Sequence, residues 1–207
     1  MRGRPVDPAK RAAVLEAAAT LFFRNGFAAT SIEQVAAEAG VSKVTIYNQF
    51  GDKDALFAAA VDLECGKMRR LFEEGAKAVS AGREPASVRE RLTAIGEAMS
   101  AFLSRPEVVC FDRQVAAESE RNPDVGRAFL NAGPYRVKAA FVAMLEAMVA
   151  AGDLRIENSS LAAEQFVGMC KGLGDVERRY GMQTDPAADR ARVAGAVDLF
   201  LKGYSAR

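Results

Sequence analysis

The chain comprises 207 residues, half of them apolar, which is enough for a sizeable core shared between two domains and too apolar for an intrinsically disordered chain. A net charge of +1 excludes a global basic field, so any nucleic-acid partner must be met by a local patch. No apolar run approaches the roughly 18 residues of a membrane span and nothing at the N-terminus resembles a secretory h-region, so the expected location is cytoplasmic, with no membrane partner.

Taken in chain order, the periodic segments are all helical. The N-terminus sets Arg2, Arg4, Lys10 and Arg11 against a single acid, Asp7, and its opening "RGRP" fits either an arm that inserts arginine into a minor groove or a solvated basic tail. Val14, Leu15, Ala18, Leu21 and Phe22 recur at helical spacing, with Asp7 as N-cap, Pro8 at the first helical position and Gly26 beyond the end. Ser31 followed by Gln34 has the form of a capping box, and Ile32, Val35, Ala36 and Ala39 give a second helix its apolar face. Gly40 stops that helix by accepting a left-handed backbone, and Ser42 caps a short third helix with Val41 and Ile46 placed as a hydrophobic staple.

Phe57, Val61, Cys65, Met68 and Phe72 form the stripe of a longer fourth helix. After turn-like residues at 80–85, Val88, Leu92, Ile95, Met99 and Phe102 predict a fifth, and residues 108–120 a sixth. Residues 125–130 and 135–151 predict a helix broken or kinked at Pro134, and residues 161–178 and 187–204 give two last helices. No strand pattern, internal repeat or low-complexity stretch is present. Cys65, Cys110 and Cys170, odd in number and far apart, read as reduced thiols packed as small hydrophobes, with redox sensing as the alternative. Asn158-Ser159-Ser160 matches the N-glycosylation pattern, a chance match in a chain with no export signal.

A short helix, a tight glycine turn and a second short helix make a helix-turn-helix, in which the first helix braces a second that must project into the major groove. At about 100° per residue, Lys43, Val44, Tyr47 and Asn48 share one arc of roughly 140°, while Ile46 and Phe50 face the other way, toward Ala36 and the first helix. That exposed arc offers a cation for guanine or phosphate, an aliphatic group for a thymine methyl, a phenol for backbone oxygen and an amide for adenine. Thr45 flanks it within reach of phosphate, and Lys53 adds a charge beside the free backbone donors at the start of the fourth helix. Geometry alone leaves open an all-α protein that binds no DNA.

Residues 7–57 resemble the N-terminal domain of the TetR/AcrR family of transcriptional regulators. The resemblance is carried by Ala19-Thr20-Leu21-Phe22, Gly26-Phe27, Thr30-Ser31-Ile32, Val35-Ala36, Ala39-Gly40-Val41-Ser42, Thr45-Ile46-Tyr47, Phe50, Lys53 and Leu56-Phe57. It implies that Thr45 and Tyr47 contact phosphates, that Lys43 and Val44 lie over bases, and that Ser31 and Lys53 hold the DNA backbone. Asn48-Gln49 replaces the aromatic or histidine residues common before Phe50, which leaves Asn48 as a candidate base reader. The rest of the chain resembles the family's regulatory domain more loosely, in "AFLNAGPYRVKAAF" and "LAAEQFVGMCKG". A helical domain that dimerises through its last two helices and encloses a small-molecule pocket is thereby implied.

For the dimer, Gly168 and Gly172 lie one helical turn apart, and glycines in a helix interior, each costing about 1 kcal/mol, suggest close approach of another backbone. Phe166, Met169 and Leu173, with Val193, Val197, Phe200 and Leu201, suit either a four-helix interface with a twofold partner or the protomer's own core. Met99, Phe102, Phe111, Val115, Tyr135, Phe141, Met144, Met148 and Cys170 are candidates for the pocket, with Arg113 or Gln114 as polar anchors; plain core packing is the alternative. No histidine and no phosphate-, dinucleotide- or zinc-binding motif is present, so neither an enzyme nor a metal or cofactor is expected, although Asp112, Glu118 and Glu120 could be proposed as an acid–base pair. A non-specific DNA-packaging protein would need more basic residues.

The sequence therefore predicts an all-α protein. Residues 1–53 would form a three-helix helix-turn-helix DNA-binding domain and residues 54–207 a larger helical regulatory and dimerisation domain. The expected protein is a homodimeric transcriptional repressor released from an inverted-repeat operator in double-stranded DNA by an unknown small-molecule effector.

Overall fold

The computed structural model describes residues 7–82 and 86–206. The described residues form ten helices: α1 (Pro8–Ala29), α2 (Ile32–Glu38), α3 (Lys43–Phe50), α4 (Lys53–Ser80), α5 (Val88–Leu103), α6 (Pro106–Arg121), α7 (Pro123–Ala132), α8 (Pro134–Ala150), α9 (Ser159–Arg179) and α10 (Pro186–Tyr204). The expected all-α class holds. Among the described residues no helix is long and apolar enough to cross a membrane.

Two helices differ from the sequence reading at glycines. α1 does not stop at Gly26 but continues to Ala29 across a kink, where Gly26 takes φ +82 and ψ 174. α9 kinks at Gly172, with φ +48 and ψ −157. Both conformations are closed in practice to residues that carry a Cβ. At Pro134 the chain forms two helices, because Gly133 ends α7 with its N–H bonded to the Phe129 carbonyl and Pro134 opens α8.

The chain divides into two compact units, residues 1–66 with 110–135 and residues 67–109 with 136–207. This division differs from a boundary after residue 53: α4 contributes 53–66 to the first unit and 67–80 to the second, and most of α6 with all of α7 joins the helix-turn-helix. The reason is aromatic packing. Phe111 of α6 stacks on Phe23 with centroids 3.9 Å apart and meets Phe57 at 5.9 Å and Phe129 at 5.7 Å, while Phe57 packs edge-on to Phe22 at 5.3 Å. Phe22, Phe57 and Phe111 are fully buried, and each such ring stabilises the unit by about 1.5–3 kcal/mol.

In the second unit α10 packs on α5 and α9. Its core carries a run of rings from Phe72 through Phe141 and Phe166 to Phe200, with successive centroids 5.0, 5.5 and 5.3 Å apart. Gly96 of α5 lets α10 approach, since a Cβ there would lie 2.6 Å from Val193 Cγ1. The C-terminal residues are tied to the α8–α9 loop by Arg155 N–H donating to the Tyr204 carbonyl at 2.8 Å, and Asp153 in that loop takes a 2.6 Å hydrogen bond from the buried Arg91.

Candidate nucleic-acid interface

The helix-turn-helix is assembled by local hydrogen bonds. Thr30, buried at the end of α1, donates its hydroxyl to the Gly26 carbonyl at 2.8 Å. Ser31 and Gln34 complete both halves of the capping box: the Gln34 N–H donates to Ser31 Oγ at 3.2 Å and the Ser31 N–H to Gln34 Oε1 at 2.7 Å. The α2–α3 turn closes with Gly40 at φ +64 and the Val41 N–H bonded to the Ala36 carbonyl. Ser42 caps α3 by accepting from the Thr45 N–H at 3.2 Å, and the two hydroxyls lie 2.9 Å apart.

On α3 only Ile46 is buried, which pins the helix by one side and frees the other. Val44 is 65% exposed and Tyr47 49%, and Lys43 and Asn48 are exposed beside them. The structure thus brings the four expected readers onto one solvent-facing surface, with Thr45 half-buried at its flank. Lys53 stands at the first position of α4, its ammonium 4.3 Å from the centre of the Phe27 ring and 3.5 Å from the Ala28 carbonyl. Burial lowers its pKa below the usual lysine value, with the carboxylates of Asp54 and Glu118 acting in the opposite direction. Ser31 is half-buried and Ser42 exposed, both with their hydroxyls engaged in caps. Arg2 and Arg4 lie outside the described residues.

Two residues at this surface were not singled out as readers or supports by periodicity. Arg11 of α1 donates to the Gln49 carbonyl at 3.2 Å and lies 4.3 Å over the Phe50 ring, so it clamps the C-terminal end of α3. Glu33 of α2 accepts a 2.8 Å hydrogen bond from Lys43 Nζ. Both contacts join residues ten or more apart in sequence, and no local signal marks them.

Phe166, Val193, Val197 and Phe200 are all at most 1% exposed, in the core of the second unit, which is the packing of the intramolecular alternative. Leu173 is 68% exposed, Gly168 and Gly172 are exposed, and Met169 and Leu201 are half-buried. A Cβ on Gly172 would meet Arg192 Cδ at 2.6 Å, so its close approach is to a side chain of the same protomer. Of the pocket candidates, Phe111, Arg113, Gln114, Val115 and Tyr135 belong to the first unit and Met99, Phe102, Phe141, Met144, Met148 and Cys170 to the second. Phe111 and Val115 are buried, Gln114 is half-buried, and Arg113 and Tyr135 are exposed. Met99, Phe141, Met144, Met148 and Cys170 share one buried cluster with Phe102 packed against it.

Comparison with known proteins agrees with this geometry. Residues 14–60 match the family described as bacterial regulatory proteins, tetR family, and residues 90–206 match the AefR-like transcriptional repressor C-terminal domain. The HTH-type transcriptional regulator BetI of Rhizobium meliloti (strain 1021) is 28% identical over 194 residues, 93% of this chain and 88% of that protein. The HTH-type transcriptional repressor Rv3405c of Mycobacterium tuberculosis is 42% identical over 67 residues, 32% of this chain and 36% of that protein. Among solved structures, a protein assigned to the TetR family from Mesorhizobium loti MAFF303099 superposes with a TM-score of 0.81 at 24% identity, covering 98% of this chain and 99% of that one. The flavonoid-responsive regulator FrrA superposes with a TM-score of 0.73 at 30% identity, covering 97% and 100%. The chain belongs to the TetR family of transcriptional regulators, and its helix-turn-helix is that family's DNA-binding element.

Proposed function

We propose that the protein is a homodimeric repressor that binds an inverted-repeat operator and leaves it when a small-molecule effector binds the second unit. The observation that carries the sequence-reading part is the single exposed face of Lys43, Val44, Tyr47 and Asn48 on a helix anchored from behind by Ile46. Two such helices, about 34–36 Å apart or a multiple of that, enter successive major grooves. In this reading Lys43, Val44 and Asn48 meet base edges, Thr45, Tyr47, Ser31 and Lys53 hold phosphates, Ser42 fixes the start of the reading helix, and Arg2 and Arg4 reach into the minor groove.

The dimer reading is supported by the solvent face of α9 and α10, where Leu173, Val176, Tyr180 and Leu199 are 45–79% exposed. The same two helices carry a groove of about 700 Å³ lined by Gln165, Gly168, Met169, Leu199, Phe200, Gly203 and Tyr204. Exposed apolar side chains grouped on two neighbouring helices are suited to a second copy. Repression is suggested by the name of the Mycobacterium relative, and effector control by that of FrrA. The effector would occupy the methionine-rich core around Met99, Met144 and Met148, and α4, continuous from one unit into the other, would carry a coupling of about 1–3 kcal/mol.

Affinity selection of genomic fragments at near-physiological salt tests the reading. It should recover an inverted repeat, whereas fragments without a shared motif would defeat it. On the recovered site, Tyr47→Phe should weaken binding to all sequences alike, while Lys43→Ala and Asn48→Ala should also blur base preference; equal uniform losses for all three would refute the assigned roles.

A further inference from the structure

We infer that Glu33 is a specificity-determining residue, which holds the Lys43 ammonium away from DNA phosphates and leaves it free to meet neutral base acceptors. The inference rests on the reading of Lys43 as a base-contacting residue. Lys43 is the first residue of the recognition helix and Glu33 lies in the first turn of the bracing helix, yet the turn between them brings Nζ to 2.8 Å from Glu33 Oε1. Both side chains are more than half exposed, at 54% and 60%, so the pair is open to solvent at the start of the recognition helix rather than buried behind it. Each holds the other in its charged form: the hydrogen bond from Lys43 lowers the Glu33 pKa, and the bond to Glu33 raises that of Lys43.

The consequence for DNA follows from the donor count. An ammonium carries three donors, so one can remain on Glu33 while another reaches a guanine O6 or N7. Those base acceptors are neutral and tolerate the carboxylate beside them. A phosphate is an anion, and bringing it to the same ammonium places two negative charges side by side, with repulsion that the shared cation offsets only in part. Glu33 therefore penalises the contact that every duplex offers and spares the one that only some sequences offer. Discrimination can be raised in this way by making the wrong contact costlier. In a chain of net charge +1, withholding one lysine per protomer from phosphate is a substantial share of the local basic patch.

Glu33→Gln removes the charge and keeps the shape and the capping box. The measurement is the dissociation constant of the full-length protein on a random-sequence duplex and on the selected site, from about 50 to 200 mM salt. An exposed pair of this kind limits the effect to about fivefold. The expected result on random duplex is a two- to fivefold tightening, with a salt slope steeper by about 0.9 for each Lys43 that turns to a phosphate. The selected site should gain less, so the ratio of the two constants falls. The gain on random duplex should vanish when Glu33→Gln is made in a Lys43→Ala background. Unchanged affinity and slope on random duplex, equal gains on both duplexes, or the same gain without Lys43 would each overturn the inference, the last by showing a general field of the carboxylate. A wild-type protein with no preferred sequence would instead remove the sequence-reading role on which the inference rests, an outcome visible in the selection before any variant is made.

Discussion

Replacing Gly26 with alanine probes the joint between α1 and the helix-turn-helix. At φ +82 and ψ 174 the backbone lies where only glycine is at ease, and a Cβ there costs about 1–3 kcal/mol. The new Cβ would also stand 2.9 Å from Gln114 Oε1 and 3.3 Å from its Cδ. Those atoms are the far end of a flexible side chain, and the Oε1 is buried without a partner to lose, so turning it aside adds only about 0.5–1 kcal/mol. The sum is about 1.5–4 kcal/mol, which for a chain of this size lowers the melting midpoint by about 3–16 °C. Circular dichroism at fixed protein concentration reads the shift, the concentration being held because any self-association would make the midpoint depend on it. A second variant, Gly26→Ala with Gln114→Ala, separates the causes: if the backbone dominates, removing Gln114 recovers less than about 1 kcal/mol. A single variant that melts within about 1 °C of wild type would refute the strain argument, and near-complete rescue by Gln114→Ala would assign the cost to the clash.

Leu173→Glu puts a carboxylate on a side chain that is 68% exposed in the protomer. If two copies bury it, losing about 2 kcal/mol at each should weaken the dimer by about a thousandfold with the fold intact; an unchanged sedimentation mass at micromolar protein would exclude that face. Arg11→Ala should cost about 1–3 kcal/mol through the lost ring contact and the lost bond to the Gln49 carbonyl. Arg11→Lys should restore only part of it, because a lysine has no planar guanidinium to stack; urea unfolding measures both, and an Arg11→Ala midpoint equal to wild type would dismiss the clamp. Iodoacetamide near pH 8 should modify the half-buried Cys65 and Cys110 well before Cys170, whose thiol burial pushes up to about 11. Since the folded thiol keeps its proton to about 11 while an unfolded one releases it near 9.0, the folded state binds more protons in that window and stability should fall as pH rises through it. Peptide mass spectrometry checks the order of modification, and early labelling of Cys170 in folded protein would contradict its burial.

Features that depend on residues three or four apart were legible in the sequence. The Ser31–Gln34 capping box, the Ser42 cap and the left-handed Gly40 all stand as their local chemistry requires. The Asn158 side chain, which matched a glycosylation pattern, accepts from the Leu161 N–H and is the N-cap of α9; a cap and a glycosylation acceptor share the same short polar residues, and only the helix that follows separates them. Division into units was not legible. The amphipathic stripe of α6 shows which residues are buried, but not that Phe111 would find Phe23 rather than a partner in the C-terminal helices.

The same limit explains which parts of the reading helix and of α9 and α10 could be read. Lys43, Val44, Tyr47 and Asn48 emerged because a helix anchored by one apolar residue must expose the opposite arc, a conclusion that needs only the 3.6-residue period. The dimer candidates on α9 and α10 divide between core and surface because that period marks apolar residues without saying what covers them. Phe166, Val193, Val197 and Phe200 pack inside the protomer, and the large apolar side chains that remain exposed are Leu173, Val176, Tyr180 and Leu199. The glycine rule misled for a related reason: Gly172 is open to a close approach, but the group that approaches is Arg192, which also bonds Asp189 at 2.5 Å. A bulky residue at 172 would disturb that ion pair within one chain, so a change in mass on its substitution would report the protomer's integrity. Leu173, whose side chain touches no such network and faces solvent, is the position at which a charge tests association itself.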